Sequence, residues 1–380
     1  MAGTPEEMER LRRASGGNRT WIAVAVIAVV AILIAVAALA GWFSPAQQPT
    51  TLLGAGATFP FPLISKWSSV YVNLTGVRVN YQSIGSGGGV SQITAKTVDF
   101  AGSDAPLSPA ERATAPGLLH IPETIGAVTA AYNVPGIASG LNLTGGVIAD
   151  IFLGTVTTWD DPSIVALNQG VSLPSQAITV VHRVDGSGTT FVWTSYLALS
   201  SATWNTTVGK GKSVNWPKGT GQTGNSGVAG YIRQNPYTLG YVELAYTVQN
   251  SMTVAKVQNP AGNFILPTLD STAAAAAGAS PSLPFTNGDW GNVSILDAPG
   301  ATSYPISSFT YLLVYKELSV IGPTMTQVKA QALVDFLWWV VHDGQTYSSD
   351  LVYVPLPPSV VTLDEQGIRS ITFNGQTLHS

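Results

Sequence analysis

The sequence predicts an α/β protein with mainly parallel strand pairing, set behind one apolar segment near the start of the chain. Short β-branched and aromatic runs alternate with stretches whose apolar residues recur every three or four positions, as in strands followed by amphipathic helices. Three of the runs end in a glycine-rich turn that opens the next helical stretch. Residues 21–42 stand apart, because they carry no charged side chain.

That segment comes first in chain order. WIAVAVIAVVAILIAVAALAGW is 22 residues long. At about 1.5 Å per residue it spans roughly 33 Å, enough for a hydrocarbon core of about 30 Å. A tryptophan at each end suits the membrane interface. Residues 21–43 therefore read as a transmembrane helix or uncleaved signal anchor. Ala38-Leu39-Ala40 keeps a cleaved signal peptide as the alternative, although the apolar run exceeds the usual ~7–15 residues. Arg10, Arg12, Arg13 and Arg19 mark residues 1–20 as a cytoplasmic tail, which sends residues 44–380 to the extracytoplasmic side of the cell membrane. Residues 44–51 are polar, contain two prolines and read as a linker.

Beyond the linker, Phe61, Ile64, Trp67, Tyr71 and Leu74 share one helical face and predict a helix over 61–74. Val77–Tyr81 follows as a strand, 88–96 as a short helix and Val98–Gly102 as a strand. Ile178–Arg183 is a β-branched strand, with a helix over Thr190–Leu199 after its turn. Ala273–Ala277 reads as a short helix end, Tyr311–Tyr315 as a strand and Gln327–Val341 as a strongly apolar helix.

Composition narrows the function. Of 380 residues 45% are hydrophobic and 10% charged, against about 25% charged in an average domain, which excludes a disordered chain. The formal charge is −4, and without the four arginines and three glutamates of residues 1–20 the remainder carries −5. No basic surplus exists to neutralise a nucleic-acid backbone. The absence of cysteine excludes disulfides, thiolate metal sites, cysteine nucleophiles and a lipidated cysteine. His120, His182, His342 and His379 lie too far apart in sequence to read as a metal pair, so neither metal nor cofactor is expected. Asn73, Asn142, Asn205 and Asn292 each begin an Asn-x-Ser/Thr sequon, a glycan acceptor in a host that glycosylates.

The chemistry gathers in three segments of one layout. Gly54-Ala-Gly-Ala-Thr58-Phe59, Gly85-Ser86-Gly-Gly-Gly89 and Asp185-Gly-Ser187-Gly188-Thr189 each follow an apolar run, carry small hydroxyl residues and open a helix. Glycine lets the backbone approach a ligand closely, and the free N–H groups of a helix start favour an anion. Each segment alone also fits an ordinary turn or helix cap. Three in one α/β chain point to an anion site.

Arg183 ends its strand two residues before Asp185, placed to fork onto an oxyanion while Asp185 holds the guanidinium; the other reading is a surface ion pair. Asp104, in Gly102-Ser-Asp-Ala-Pro106, reads either as a turn residue before proline or as an acceptor for a protonated anion. Phosphate can offer an O–H to that carboxylate, whereas sulfate at neutral pH cannot, and an unmatched pair of acceptors in a dry site costs several kcal/mol. Catalytic readings fail on spacing. Gly186-Ser187-Gly188 is not a G-x-S-x-G elbow, Gly211-Lys212-Ser213 lacks the first glycine of a P-loop, and GSGGG at 85–89 is not GxGxxG. His182 next to Arg183 points to the opposite strand face from it. We therefore expect no enzyme.

These residues fall within longer stretches that resemble the phosphate-binding proteins (PstS) of phosphate ABC transporters. The stretches are GAGATFPFPLISKW (54–67), VNYQSIGSGGGVSQI (79–93), TVDFAGSDAPLS (97–108), IFLGTVTTWDDPSI (151–164), VVHRVDGSGTTFVWTSYL (180–197) and LGYVELAY (239–246), in order through nearly all of 50–380. The resemblance implies a two-lobed periplasmic-binding-protein-like fold of type II: lobe I from 52–128 and 303–380, lobe II from 129–302, with crossings near Ala127–Tyr132 and Tyr304–Thr310. It implies that inorganic phosphate binds between Thr58, the Phe59 amide, Ser86 and Asp104 of one lobe and Arg183, Ser187, Gly188 and Thr189 of the other, with Asp185 supporting Arg183. It further implies a monomer that delivers phosphate to a membrane permease and its ATPase. Ser86-Gly87-Gly88 departs from a common Ser-Ser-Gly, which removes one hydroxyl, and the apolar segment replaces a cleaved signal or lipidated cysteine. Arsenate, also protonated, remains a ligand of the same chemistry. A phosphate sensor and a phosphoesterase on the same scaffold are the other readings.

Overall fold

A computed structural model describes residue 6, residues 21–33, 49–277 and 283–378. Most of the expected tail, the second part of the expected membrane helix with Ala38-Leu39-Ala40, most of the linker, and His379 lie outside the described residues. Residues 21–33 are helical with exposed apolar side chains. Among the described residues no helix is long and apolar enough to cross a membrane.

Residues 50–380 form a separate compact unit. In chain order its main elements are β1 (Thr51–Gly56), α1 (Phe61–Thr75), β2 (Arg78–Ser83), α2 (Ser86–Thr94), β3 (Phe100–Ser103), β4 (Leu118–Asn133), β5 (Thr179–Arg183), α3 (Gly188–Ser200), β6 (Thr220–Gln222), α4 (Gly224–Gln234), β7 (Thr238–Glu243), α5 (Leu244–Gln249), β8 (Thr253–Val254), β9 (Ser307–Tyr315), α6 (Gln327–Val341) and α7 (Pro358–Arg369). Local sequence accounts for several boundaries. Proline opens α1 and α7, and Gly76 ends α1 at φ 76°. The α6 bounds are those its apolar run predicts. The α2 and α3 starts lie two residues ahead of the predicted ones, so that Ser86 and Gly188 stand at the first helical position.

The strands lie in one curled sheet in the order β2-β1-β3-β9-β4-β7-β5-β6, with β8 on the edge of β4. The mainly parallel pairing expected from sequence is corrected here. β1 pairs in parallel with β2 and β3, and β5 with β6 and β7, but the middle of the sheet is antiparallel. β4 pairs with β9 through residues 118–127 and with β7 through residues 128–133, so a single 16-residue strand serves both halves. β4 is buried along almost its whole length, so it lacks the alternation that marks a one-sided antiparallel strand. The β4–β9 register slips at Thr310/Tyr311: Thr124 opposes Thr310 and Pro122 opposes Tyr311, which leaves Glu123 as a bulged residue.

With no disulfides the fold rests on its core. Trp67, Trp159, Trp193, Trp204 and Trp290 are fully buried. An aromatic side chain of this kind removes about 150–250 Å² from water, at roughly 25 cal/mol per Å². Trp193 stacks on Tyr241 with ring centroids 5.3 Å apart, tying α3 to β7. Buried Asp99 accepts from the Leu53 amide (2.6 Å) and pairs with Lys329 (2.8 Å), pinning α6 to β1.

One buried group lacks such partners. Asp364 of α7 is fully buried, neither carboxyl oxygen has a hydrogen bond among the described residues, and burial pushes its pKa well above the usual carboxylate range. The unfolded chain ionises Asp364 above that range while the folded chain keeps the proton. The resulting penalty is absent at low pH and grows as pH rises. Asp364→Asn is therefore expected to flatten the fall in melting temperature between pH 5 and pH 8, gaining about 3 °C or more on wild type over that interval. Parallel curves in thermal scans would contradict this.

Candidate anion-binding site

Five segments that leave strand ends on one rim of the sheet carry the polar residues. β1 leads to Thr58, β2 to Ser86, β3 to Asp104, β5 ends in Arg183, and β6 leads to Asn225. Four helices open there, α1 to α4, so backbone N–H groups and positive dipole ends converge on one place. Thr58, Ser86, Asp104, Arg183, Ser187, Thr189 and Asn225 are all buried.

Their hydrogen bonds tie them into one network. The Thr58 hydroxyl oxygen accepts from Arg183 Nη1 (3.1 Å), the Asn225 amide (3.2 Å) and Asn225 Nδ2 (2.8 Å). Asn225 Nδ2 also donates to Thr189 Oγ1 (3.1 Å). Ser86 Oγ accepts from the Asp104 amide (3.2 Å) and from the Gly188 amide (3.0 Å). Both hydroxyls thus act as acceptors and keep their own hydrogens to donate. Ser187 caps α3 by accepting from the Thr190 amide (3.0 Å). Gly188 leaves no room for a side chain: a Cβ there would lie 2.5 Å from Asp104 Oδ2 and Ser86 Oγ. Phe59 packs its ring in the core, and its carbonyl accepts from Tyr353 Oη (2.7 Å).

Arg183 is buried rather than on the surface. Its Nε donates to Asp185 Oδ1 (2.7 Å) and its Nη2 to Asp185 Oδ2, a bidentate fork. Burial works against the Asp185 charge, yet Arg183 and the Gly224 amide (3.1 Å) hold its pKa below the usual range. The fork leaves Nη1 to face Thr58.

Asp104 does not cap its own turn. Its Oδ1 accepts from the Thr310 hydroxyl (3.0 Å), while Oδ2 makes no regular hydrogen bond. Burial raises its pKa to about 7, against the pull of Thr310, Arg183 and nearby Thr189. A cavity of about 300 Å³ lined by Phe191, Ser195, Lys210, Ser308 and Tyr311 reaches Asp104. The site therefore offers many donors and one carboxylate acceptor, which suits an anion that carries a proton.

The structure also places the segments that fall outside the site. The His182 ring stacks on Trp216, with centroids 4.8 Å apart. Lys212 pairs with Glu111, and its carbonyl accepts from the Ser187 amide (2.8 Å). Two site residues escaped the sequence reading, Asn225 and Thr310. Thr220-Gly-Gln-Thr-Gly-Asn225 does repeat the strand–glycine–helix layout of the other segments, but its three-residue strand gives little periodic signal.

A family model described as a PBP superfamily domain matches residues 44–343. The phosphate-binding protein PstS of Pasteurella multocida is 46% identical over 332 residues, which covers 87% of this chain and 93% of that protein. The chain belongs to this family. The PstS of Xylella fastidiosa is 45% identical over 314 residues, covering 81% of this chain and 82% of its own. The crystal structure of a phosphate-binding protein from Stenotrophomonas maltophilia covers 84% of this chain and 94% of its own, with TM-score 0.64 at 19% identity. It shows the shared two-lobed fold.

Proposed function

We propose that this chain captures inorganic phosphate between two lobes and delivers it to an ABC phosphate importer, without catalysis. The observation that carries the reading is the donor-rich network around Asp104, whose Oδ2 makes no regular hydrogen bond among the described residues. Family membership supports it, since the relatives are named phosphate-binding proteins. The permease and ATPase partners follow from that family role, and the receptor acts as a monomer.

In this reading the lobes are 52–128 with 303–380, and 129–302. The chain crosses within β4, beside Ile306, whose carbonyl accepts from the Val128 amide (2.9 Å). Bonds that bridge the two parts are those that closure forms. The Gly87 amide donates to the Gly186 carbonyl (2.8 Å), Tyr246 Oη donates to the Thr58 carbonyl (2.7 Å), and Lys212 pairs with Glu111. Closure dries the anion, so local donors supply affinity that the net charge of −4 opposes only weakly at a distance. Arsenate, with the same shape and proton, fits the same site.

We further propose that residues 21–43 anchor the receptor, with residues 44–380 outside. The uncharged run and the arginines before it support this. The full-length chain should then pellet with membranes and need detergent for release; recovery in the soluble fraction would refute anchoring.

Calorimetric titration of the full-length chain tests the ligand. One phosphate should bind per chain, with no response to sulfate at equal ionic strength. Asp104→Asn should cut the preference for phosphate over sulfate at least tenfold, or about 1.4 kcal/mol. Unchanged selectivity in the variant would remove Asp104 as the discriminator, and no response to phosphate would overturn the reading.

A further inference from the structure

Behind Asp104, across the Thr310 hydroxyl, lies a second carboxyl. Glu123 is fully buried on β4, at the bulge where the β4–β9 register slips. A bulge re-aims a side chain, and here Glu123 Oε1 reaches 3.1 Å from Thr310 Oγ1. The same hydroxyl lies 3.0 Å from Asp104 Oδ1. A threonine hydroxyl has one hydrogen and cannot donate to two carboxylates at once. One of the two carboxyls must hold a proton and donate it to Thr310, and Thr310 then donates to the other.

The surroundings decide which. Asp104 faces the Arg183 guanidinium and Thr189 at the start of α3, both of which favour its charged form. Among the described residues the Glu123 carboxyl has one side-chain partner, Thr310, its Oε2 has none, and the charge that acts on it is that of Asp104. Burial and Asp104 raise Glu123 to about 8, against the pull of Thr310. The other titratable groups facing this pair do not offer a competing charge. Tyr81, Tyr246, Tyr311 and Tyr353 are all pushed up by burial and stay neutral. Glu243 is raised well above its ordinary range by burial, and Asp185 is engaged by Arg183.

We propose that Glu123 is a positioning residue for ligand recognition: protonated, it donates to Thr310, which donates to Asp104, so that Asp104 stays an ionised acceptor with Oδ2 aimed at the ligand's hydroxyl. Ionisation of Glu123 breaks this order. Thr310 then has one hydrogen for two carboxylates, Asp104 no longer has it to itself, the new buried charge on Glu123 opposes the anion, and binding weakens on the alkaline side. The inference rests on the phosphate reading above and adds the group that sets its alkaline limit.

The test is calorimetric titration of the full-length chain in detergent with inorganic phosphate, from pH 6 to pH 9 at constant ionic strength. Wild type and Glu123→Gln are compared, so that the titration of phosphate itself cancels. The glutamine amide donates to Thr310 at every pH. It should bind phosphate within about threefold of wild type at pH 6 and at least tenfold more tightly than wild type at pH 9. Thr310→Val, which breaks the relay without touching Glu123, should weaken binding at least tenfold at pH 6. It should also abolish the effect of adding Glu123→Gln. A purely structural role for Glu123 would shift affinity equally at all pH values. Identical alkaline limits in wild type and Glu123→Gln, or full phosphate affinity in Thr310→Val, would overturn the role of Glu123 while leaving the phosphate reading intact. Failure of wild type to bind phosphate at any pH would overturn both.

Discussion

A carboxylate inside the proposed anion site is the constraint on which the rest of this architecture turns. Asp104 is buried, faces the same space as the Arg183 guanidinium, and leaves one oxygen without a regular hydrogen bond among the described residues. Alone it would repel any anion. It becomes an asset only if the ligand brings a proton and if everything else in the site donates. The hydroxyls of Thr58 and Ser86, the Asn225 amide group and four helix starts meet that second condition. Arg183 contributes charge without mobility, because Asp185 occupies two of its nitrogens and fixes the direction of the third.

The fold supplies this arrangement through its sheet. Parallel strands in each half deliver their carboxyl ends, and the helices that follow, to one rim. The antiparallel centre has a different task. β4 is shared by both halves, and β9 beside it brings Thr310 against Asp104. Close approach at the rim sets the glycine pattern. Gly85 holds φ 86°, and a Cβ there would meet Asp185 Oδ2 at 2.5 Å, while Gly188 has no space for one between Asp104 and Ser86.

Much of this was legible in the amino-acid sequence because the signals are local. The α6 face, the β-branched run into Arg183, and the glycine–hydroxyl turns at 54–59, 85–89 and 185–189 each announce themselves within a few residues. What stayed hidden depends on pairing between distant segments. The antiparallel β4–β9 ladder joins residues about 190 positions apart, and Glu123 meets Thr310 at the point where the register slips. Asp104 could not be separated from an ordinary turn residue until Thr310, 206 positions away, was seen to take its place as donor. Asn225 followed the visible layout, but on a strand too short to show it.

The central claim is that a protonated tetrahedral anion lies between these donors with its hydroxyl on Asp104. The crystal structure of the full-length chain grown with phosphate in detergent tests it most directly. The account predicts one phosphate within hydrogen-bond distance of Arg183 Nη1, the Thr58 and Ser86 hydroxyls and the α3 start, and one phosphate oxygen against Asp104 Oδ2. Phosphate bound elsewhere, or bound here with Asp104 turned away from it, would contradict the account.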